Sequence, residues 1–398
     1  MIQPILLFQV SFHLWGVLAL SEAVSTELRD QRGLQRQDRA VVVWLVLLLV
    51  MVFAMILLGG VTRLNNAGLS MVEWQPVTGW LPPFDARDWQ IAFEKYQQYP
   101  EYQHLNVGMT LTEFKFIFWL EFGHRLWGRL IGVVLLLPIP YFLWRGWIGR
   151  VLMSRLVLLF LLGAAQGVMG WYMVMSGLAD EPDVSPYRLT AHLALGLLIY
   201  GLLLRIILRR ARAVPNALST GLSDSWRQRS RMATGGLLMM VFLTALAGGF
   251  VAGLDAGFTY NTFPQMDGHL IPEGLWEFEP WWRNLFENIT TVQFDHRVLA
   301  MTTAATAVAV WLATRGSHMA SVVRLAGSCV LLAALAQVGL GIATLLLVVP
   351  VALAVLHQAG ALILFASVLW LFHELRPGPE TVVSEPAAVA AGVGAASA

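Results

Sequence analysis

The stretch Glu121–Leu137, EFGHRLWGRLIGVVLLL, decides how the chain is read. It is apolar enough for a membrane helix, yet its first nine residues carry Glu121, His124, Arg125 and Arg129. Each such group costs roughly 2.5–3.5 kcal/mol at a bilayer centre on insertion scales. A membrane helix keeps four of them only where something binds them.

The rest of the chain supports the membrane reading. Of 398 residues, 57% are hydrophobic and 13% charged, far from the balance of a soluble globular protein. Runs of roughly 20 apolar residues, long enough to cross a hydrocarbon core of about 30 Å, occur at 41–60, 114–144, 152–175, 188–208, 233–254, 291–314, 322–348 and 350–373. The expectation is an all-α integral membrane protein of eight transmembrane helices. Arginines gather at 29–39, 145–155, 205–231, 315–324 and 376, whereas the alternate loops 61–113, 176–187 and 255–290 are richer in Asp and Glu. By the positive-inside rule both termini are cytoplasmic, which fits the inner (cytoplasmic) membrane of a bacterium.

Residues 1–40 read as a cytoplasmic N-terminal extension, since Met1–Leu20 lacks a positive n-region. Residues 211–232 read as a cytoplasmic linker, and 376–398, rich in Ala, Val, Gly and Pro, as a disordered tail. The single cysteine, Cys329, excludes a disulfide framework within the chain. A net charge of +1 and the lack of a basic tract give no sign of nucleic acid as a partner; the surrounding partner is membrane lipid.

The chain repeats itself. GGVTRLNNAGLSMVEWQPVTG (59–79) aligns without a gap to GGFVAGLDAGFTYNTFPQMDG (248–268), sharing Gly59/Gly248, Gly60/Gly249, Ala67/Ala256, Gly68/Gly257 and Gly79/Gly268. Downstream, GHRLWG at Gly123 answers DHRVLA at Asp295, LLGAAQGVMG at Leu161 answers LAALAQVGLG at Leu332, and AHLALGLL at Ala191 answers LHQAGALIL at Leu356. The expected architecture is two parallel four-helix-bundle repeats, 41–210 with the long outer loop 61–113 and 233–375, related by an axis along the membrane normal.

Each unit places one histidine on its second helix and one on its fourth: His124 and His192, then His296 and His357. At 1.5 Å per residue they lie roughly 24–32 Å above the inner surface, all at a similar level. One intramembrane histidine is commonly a hydrogen-bonded structural residue. Four at matched depth in duplicated positions instead suit haem iron, held by histidines on facing helices of a bundle. Zinc or copper would want further N, S or O ligands at that level, and no Cys or Met stripe supplies them. His13, His104, His269, His318 and His373 lie in loops or at helix ends. Gly128, Gly132, Gly163, Gly167, Gly170 and Gly196 permit close helix approach or leave room for a flat macrocycle.

Arg125 and Arg297 follow the histidine of each unit, where a guanidinium pairs with a haem propionate or snorkels to the interface. The units differ at one place. Glu121 stands on the face of His124, three residues before it, whereas the matching position before His296 is Gln293. A carboxylate beside a haem can move protons and a glutamine cannot; the alternative for Glu121 is an ion pair with Arg125 one turn on. The first unit therefore reads as chemical and the second as an electron-transfer or structural site. Thr110 and Glu113 form a capping-box pattern at the start of this helix. The loop aromatics Trp74, Trp80, Phe84, Trp89 and Tyr96 read as a lid over the haem edge or as an interfacial belt.

These residues resemble a known family. GGVTRLNNAGLSMVEWQPVTGWLPP (59–83), FEKYQQYPEY (93–102) and MTLTEFKFIFWLEFGHRLWGRLIG (109–132) are similar to the haem A synthase family, in its mitochondrial and proteobacterial branch. The similarity runs from about Val41 to Phe372. It implies an eight-helix oxidoreductase that converts haem O to haem A by oxidising a ring methyl to a formyl group, for cytochrome c oxidase assembly. Carried over by motif, Glu121, His124 and His192 serve the substrate haem O, and His296 and His357 ligate the iron of a resident haem b. Implied partners are a haem O synthase (protoheme farnesyltransferase) and an electron donor such as a ferredoxin. The loop cysteine pair of other bacterial members is absent from 61–113. Rival readings from the histidines alone are a two-haem b-type electron carrier or quinol oxidoreductase, and a haem transporter.

Overall fold

The computed structural model describes residues 37–75, 78–177, 183–211, 224–317 and 319–376. The extension before 37 and the tail after 376 lie outside the described residues, as does His318. The described chain is all-helical, with eight helices long and apolar enough to cross a membrane. In chain order the helices are α1 (Gln37–Leu64), α2 (Ala86–Tyr96), α3 (Leu111–Leu136), α4 (Pro138–Trp144), α5 (Arg150–Gly177), α6 (Pro186–Ala211), α7 (Asp224–Gly253), α8 (Asn284–Glu287), α9 (Ile289–Thr314), α10 (Ser321–Leu346) and α11 (Val351–Glu374).

Two boundaries differ from the sequence expectation. The 114–144 run is divided by Pro138, which has no N–H to donate; α3 stops at Leu136 and α4 restarts with Pro138 in its first turn. The linker expected at 211–232 is shorter, because α7 already begins at Asp224. Residues 225–231, SWRQRSR, extend the helix past its apolar segment, where polar side chains need no hydrocarbon. Thr110 caps α3 through the reciprocal capping box with Glu113, so both orphan donors at this end are satisfied.

Lipid offers no hydrophobic drive for helices to associate, so packing and interhelical hydrogen bonds carry the assembly. The indole Nε1 of Trp44 donates to Val134 O at 2.7 Å and that of Trp127 to Met51 O at 2.9 Å, tying α1 to α3. Helix α3 meets α5, α5 packs on α6, and Tyr200 of α6 meets Phe53 of α1 with ring centroids 6.4 Å apart. In the second half α7 packs on α9, α9 on α10, α10 on α11, and α11 closes on α7. The halves join where α6 packs on α7 and α11. There Gln358 of α11 donates to Ile56 O of α1 at 3.1 Å.

The same ends of α1 and α7 are locked together. Each helix finishes with a residue in the left-handed region, Asn66 at φ 47° and Asp255 at φ 51°, types that tolerate it through local hydrogen bonding. Arg63 binds both, reaching Asn66 Oδ1 at 3.1 Å and Asp255 Oδ2 at 3.0 Å.

The apolar core, including Leu45, Leu48, Leu156, Leu203, Leu237, Val330 and Leu371, lies at the helix ends away from the long loops. The loop ends are left to polar groups, and there the histidines stand.

Candidate functional site

His192, His296 and His357 fall in the first third of their helices, and His124 at the middle of α3. His124 and His192 are close enough to interact electrostatically, and so are His296 and His357.

Each ring rests against a glycine of the preceding long helix. A Cβ on Gly59 of α1 would meet the His124 ring at 3.3 Å, one on Gly170 of α5 the His192 ring at 3.2 Å, one on Gly248 of α7 the His296 ring at 3.1 Å, and one on Gly341 of α10 the His357 ring at 2.9 Å. Gly59 matches Gly248 and Gly170 matches Gly341 in the internal repeat. Gly170 is legible in the sequence as one of several small residues, but the glycine beneath each histidine ring is not.

Haem is the group these residues must be tested against. The Nδ1 atoms of His192, His296 and His357 are buried without a hydrogen-bond partner. That is costly for a structural histidine and natural for one that answers to a further group. The donors come in pairs; among the described residues no three His, Cys, Asp or Glu side chains gather as a bare metal ion would require. An iron already held by a macrocycle needs only two axial side chains, so the donor set fits haem.

Around each pair the loops are built alike. In the first half, Arg125 donates to Glu73 O and Met71 O, both at 2.9 Å. In the second, Arg297 donates to Thr262 O at 2.8 Å and Tyr260 O at 2.7 Å, the positions that match Glu73 and Met71. Both guanidinium groups thus hold an outer loop down; the Nε of Arg297 stays buried and unpartnered.

The carboxylate of Glu121 is 3% exposed. Its Oε2 accepts from Ser70 Oγ at 2.7 Å and from the Met71 backbone N–H at 2.8 Å, and its Oε1 accepts from Arg125 at 2.5 Å. The ion pair considered from sequence is formed, and it adds a loop anchor. Gln293, equally buried, reverses the polarity: its Nε2 donates to Ala256 O at 2.7 Å and Thr259 O at 2.6 Å, while its Oε1 accepts from Arg297 at 3.0 Å.

The loop aromatics divide. Trp89 and Tyr96 join Phe93, Phe114, Ile117, Phe118 and Phe122 in a second apolar cluster that seats α2 on the outer end of α3. Trp74, Trp80 and Phe84 are exposed. Glu101, which no catalytic or metal-ligand motif in the sequence marks, is also buried in this loop. It is 3% exposed, shares a hydrogen bond with the buried Tyr96 hydroxyl, and has one oxygen without a partner. Burial, reinforced by the charges of Glu121 and Asp183, pushes its carboxyl up to about 8.

Residues 42–369 match the family model COX15-CtaA, described as cytochrome oxidase assembly protein. The "Heme A synthase" of Nitrosospira multiformis is 50% identical over 340 residues, 85% of this chain and 94% of that protein. That of Paramagnetospirillum magneticum is 51% identical over 340 residues, with the same shares. The human "Heme A synthase COX15" is 44% identical over 349 residues, 86% of this chain and 84% of that protein.

Proposed function

The chain belongs to the COX15-CtaA family of cytochrome oxidase assembly proteins, and from that premise we propose how its two halves divide the work of a heme A synthase. The activity is an oxidation of haem O to haem A within a multi-pass membrane protein. The first unit, 41–210, takes haem O between His124 and His192. The second, 233–375, keeps a haem b between His296 and His357. The observation that carries this division is the duplicated histidine pair flanked by Glu121 in one unit and Gln293 in the other.

A bound haem supplies the redox chemistry that an unactivated methyl group requires. The protein's own residues do the rest. His124 and His192 bring the substrate's iron to a fixed depth, and the glycines beneath them let the rings lie against bare helix backbone. Arg125 clamps the outer loop of the first unit at its carbonyls, which keeps water away from the reacting edge, and Arg297 clamps that of the second. Glu121 stands on the His124 face one turn before it, and it holds or passes a proton at Oε1 or Oε2; Gln293 performs only the clamp.

With the arginine-rich loops inside, both termini face the cytoplasm, and the membrane is the inner membrane of a bacterium. A protoheme farnesyltransferase supplies the substrate, a donor such as a ferredoxin supplies electrons, and cytochrome c oxidase receives the product.

The test is acid–acetone extraction and mass analysis of the haems carried by the protein purified after co-expression with a haem O synthase. Haem A or a hydroxylated haem O together with haem b is expected. Only unmodified haem b, with haem O and electrons supplied, would overturn the reading in favour of an electron carrier.

A further inference from the structure

The double glycines of the internal repeat mark where the two halves of the chain cross. Successive residues of a helix point about 100° apart, so Gly59 and Gly60 open two different faces of α1, and Gly248 and Gly249 do the same on α7. The first glycine of each pair takes a histidine of its own half, His124 on Gly59 and His296 on Gly248. The second takes the other half. A Cβ on Gly249 would meet Thr190 Oγ1 at 3.0 Å and Leu193 Cδ2 at 3.3 Å, side chains that flank His192 on α6. A Cβ on Gly60 would run into the side-chain amide of Gln358, the residue after His357 on α11.

The two crossings match in position but not in chemistry. Leu193 and Gln358 occupy the same place in the repeat, each directly after its histidine. Leu193 offers α7 only a methyl group, and Thr190 Oγ1 beside it is buried without a partner. Gln358 instead lays its amide along the turn 56–60 of α1: Nε2 donates to Ile56 O at 3.1 Å, and Oε1 lies over Gly60. A carbonyl only accepts, which fixes the amide nitrogen on Ile56. Ile56 stands three residues before Gly59, and its side chain would be 3.8 Å from a Cβ on Gly196, one turn after His192. The turn 56–60 therefore stands against three of the helices that carry the histidines: α3 at Gly59, α6 at Ile56 and α11 at Gly60.

Resting on the haem reading of the two units, we propose that Gln358 is a positioning residue for both haem sites. Its one hydrogen bond sets the α11 backbone beside His357 against the turn of α1 on which His124 lies. The placement of His357 and the seat of His124 then answer to one another, which couples the resident haem's site to the substrate's. Gly60 belongs to the same device, because any side chain there displaces the amide.

The experiment uses the full chain co-expressed with a haem O synthase and compares Gln358→Met, which keeps the reach but has no N–H to donate, with Gly60→Ala and the double variant. Two quantities are read: the low-spin electron paramagnetic resonance signal of haem b, and haem O plus its oxidation products per haem b, by extraction. Gln358→Met is expected to retain haem b with a shifted signal and to carry about 2- to 30-fold less first-unit haem. Gly60→Ala should do the same, although it lies in the other half from His357. The double variant should be no worse than either single one, because both changes remove the same bond. A change confined to one haem, no change in either, complete loss of haem b, or losses that add in the double variant overturns the assignment. A wild-type protein that carries haem b and nothing else sinks the functional reading itself, a different result from any of these.

Discussion

Glu121 and Arg125 form an ion pair at 2.5 Å, and Gln293 and Arg297 repeat it as a neutral hydrogen bond at 3.0 Å. The surrounding loops are matched to that difference. Donors, Ser70 Oγ and Met71 N–H, face the carboxylate, whereas acceptors, Ala256 O and Thr259 O, face the amide. In Glu121→Gln either the new amide group faces the Met71 N–H, or it faces Arg125; one donor is opposed in both orientations. The variant is expected to retain both haems, since the histidines are untouched, and to lose formyl formation by about 10²- to 10⁴-fold, the usual worth of a placed acid or base. Unchanged haem A yield would remove Glu121 from the chemistry.

The reverse exchange is expected to fail structurally. In Gln293→Glu a buried carboxylate would meet two carbonyl oxygens and keep only Arg297 as a partner. Leaving buried polar groups opposed costs about 1–3 kcal/mol, more for a charge. The thermal midpoint in detergent should fall, and haem b should be lost on heating before the first-unit haem. A midpoint unchanged from wild type would show that the loop carbonyls turn away freely.

The features legible in the sequence were those set by local pattern. Length and hydrophobicity place the spans, the Thr110–Glu113 spacing places the cap, and one residue per helix marks the histidine level. What escaped depends on contacts between distant segments. Nothing around Gly59 or Gly341 says that a ring from the next helix will lie on it, because an i, i+4 glycine pattern reads equally as close packing. Arg125 and Arg297 were legible as duplicated cations, but their loop carbonyl partners require the fold of 70–75 and 259–265. Glu101 reads as one more loop acid, and its burial beside the Tyr96 hydroxyl requires the folded loop.

Glu101 makes the outer loop sensitive to pH. Its folded-state value of about 8 lies above the ordinary 4.5, so the folded loop binds the proton more tightly than the open one. Its contribution is fully present below about pH 4.5 and declines as pH rises to about 8, where the folded carboxyl ionises. Hydrogen exchange across residues 86–110 should quicken over that window beyond the intrinsic base-catalysed trend, and Glu101→Gln should abolish the excess. An excess that persists in Glu101→Gln would assign it to another group.

Two glycines of α10 separate a ring seat from ordinary helix. A Cβ on Gly341 would stand 2.9 Å from His357 Cε1, closer than packed side chains allow, whereas Gly339 has open space around its position. Alanine favours a helix over glycine by about 0.5–1 kcal/mol, so Gly339→Ala should leave the protein as stable as wild type or slightly more so, with haem b unchanged. In Gly341→Ala the added methyl displaces the His357 ring and with it the angle at which Nε2 is presented. That variant should bind haem b about 10- to 100-fold more weakly and show a shifted low-spin signal in whatever remains bound, while first-unit haem per folded protein holds. Equal haem b content and identical spectra in the two variants would mean that His357 does not depend on its glycine seat.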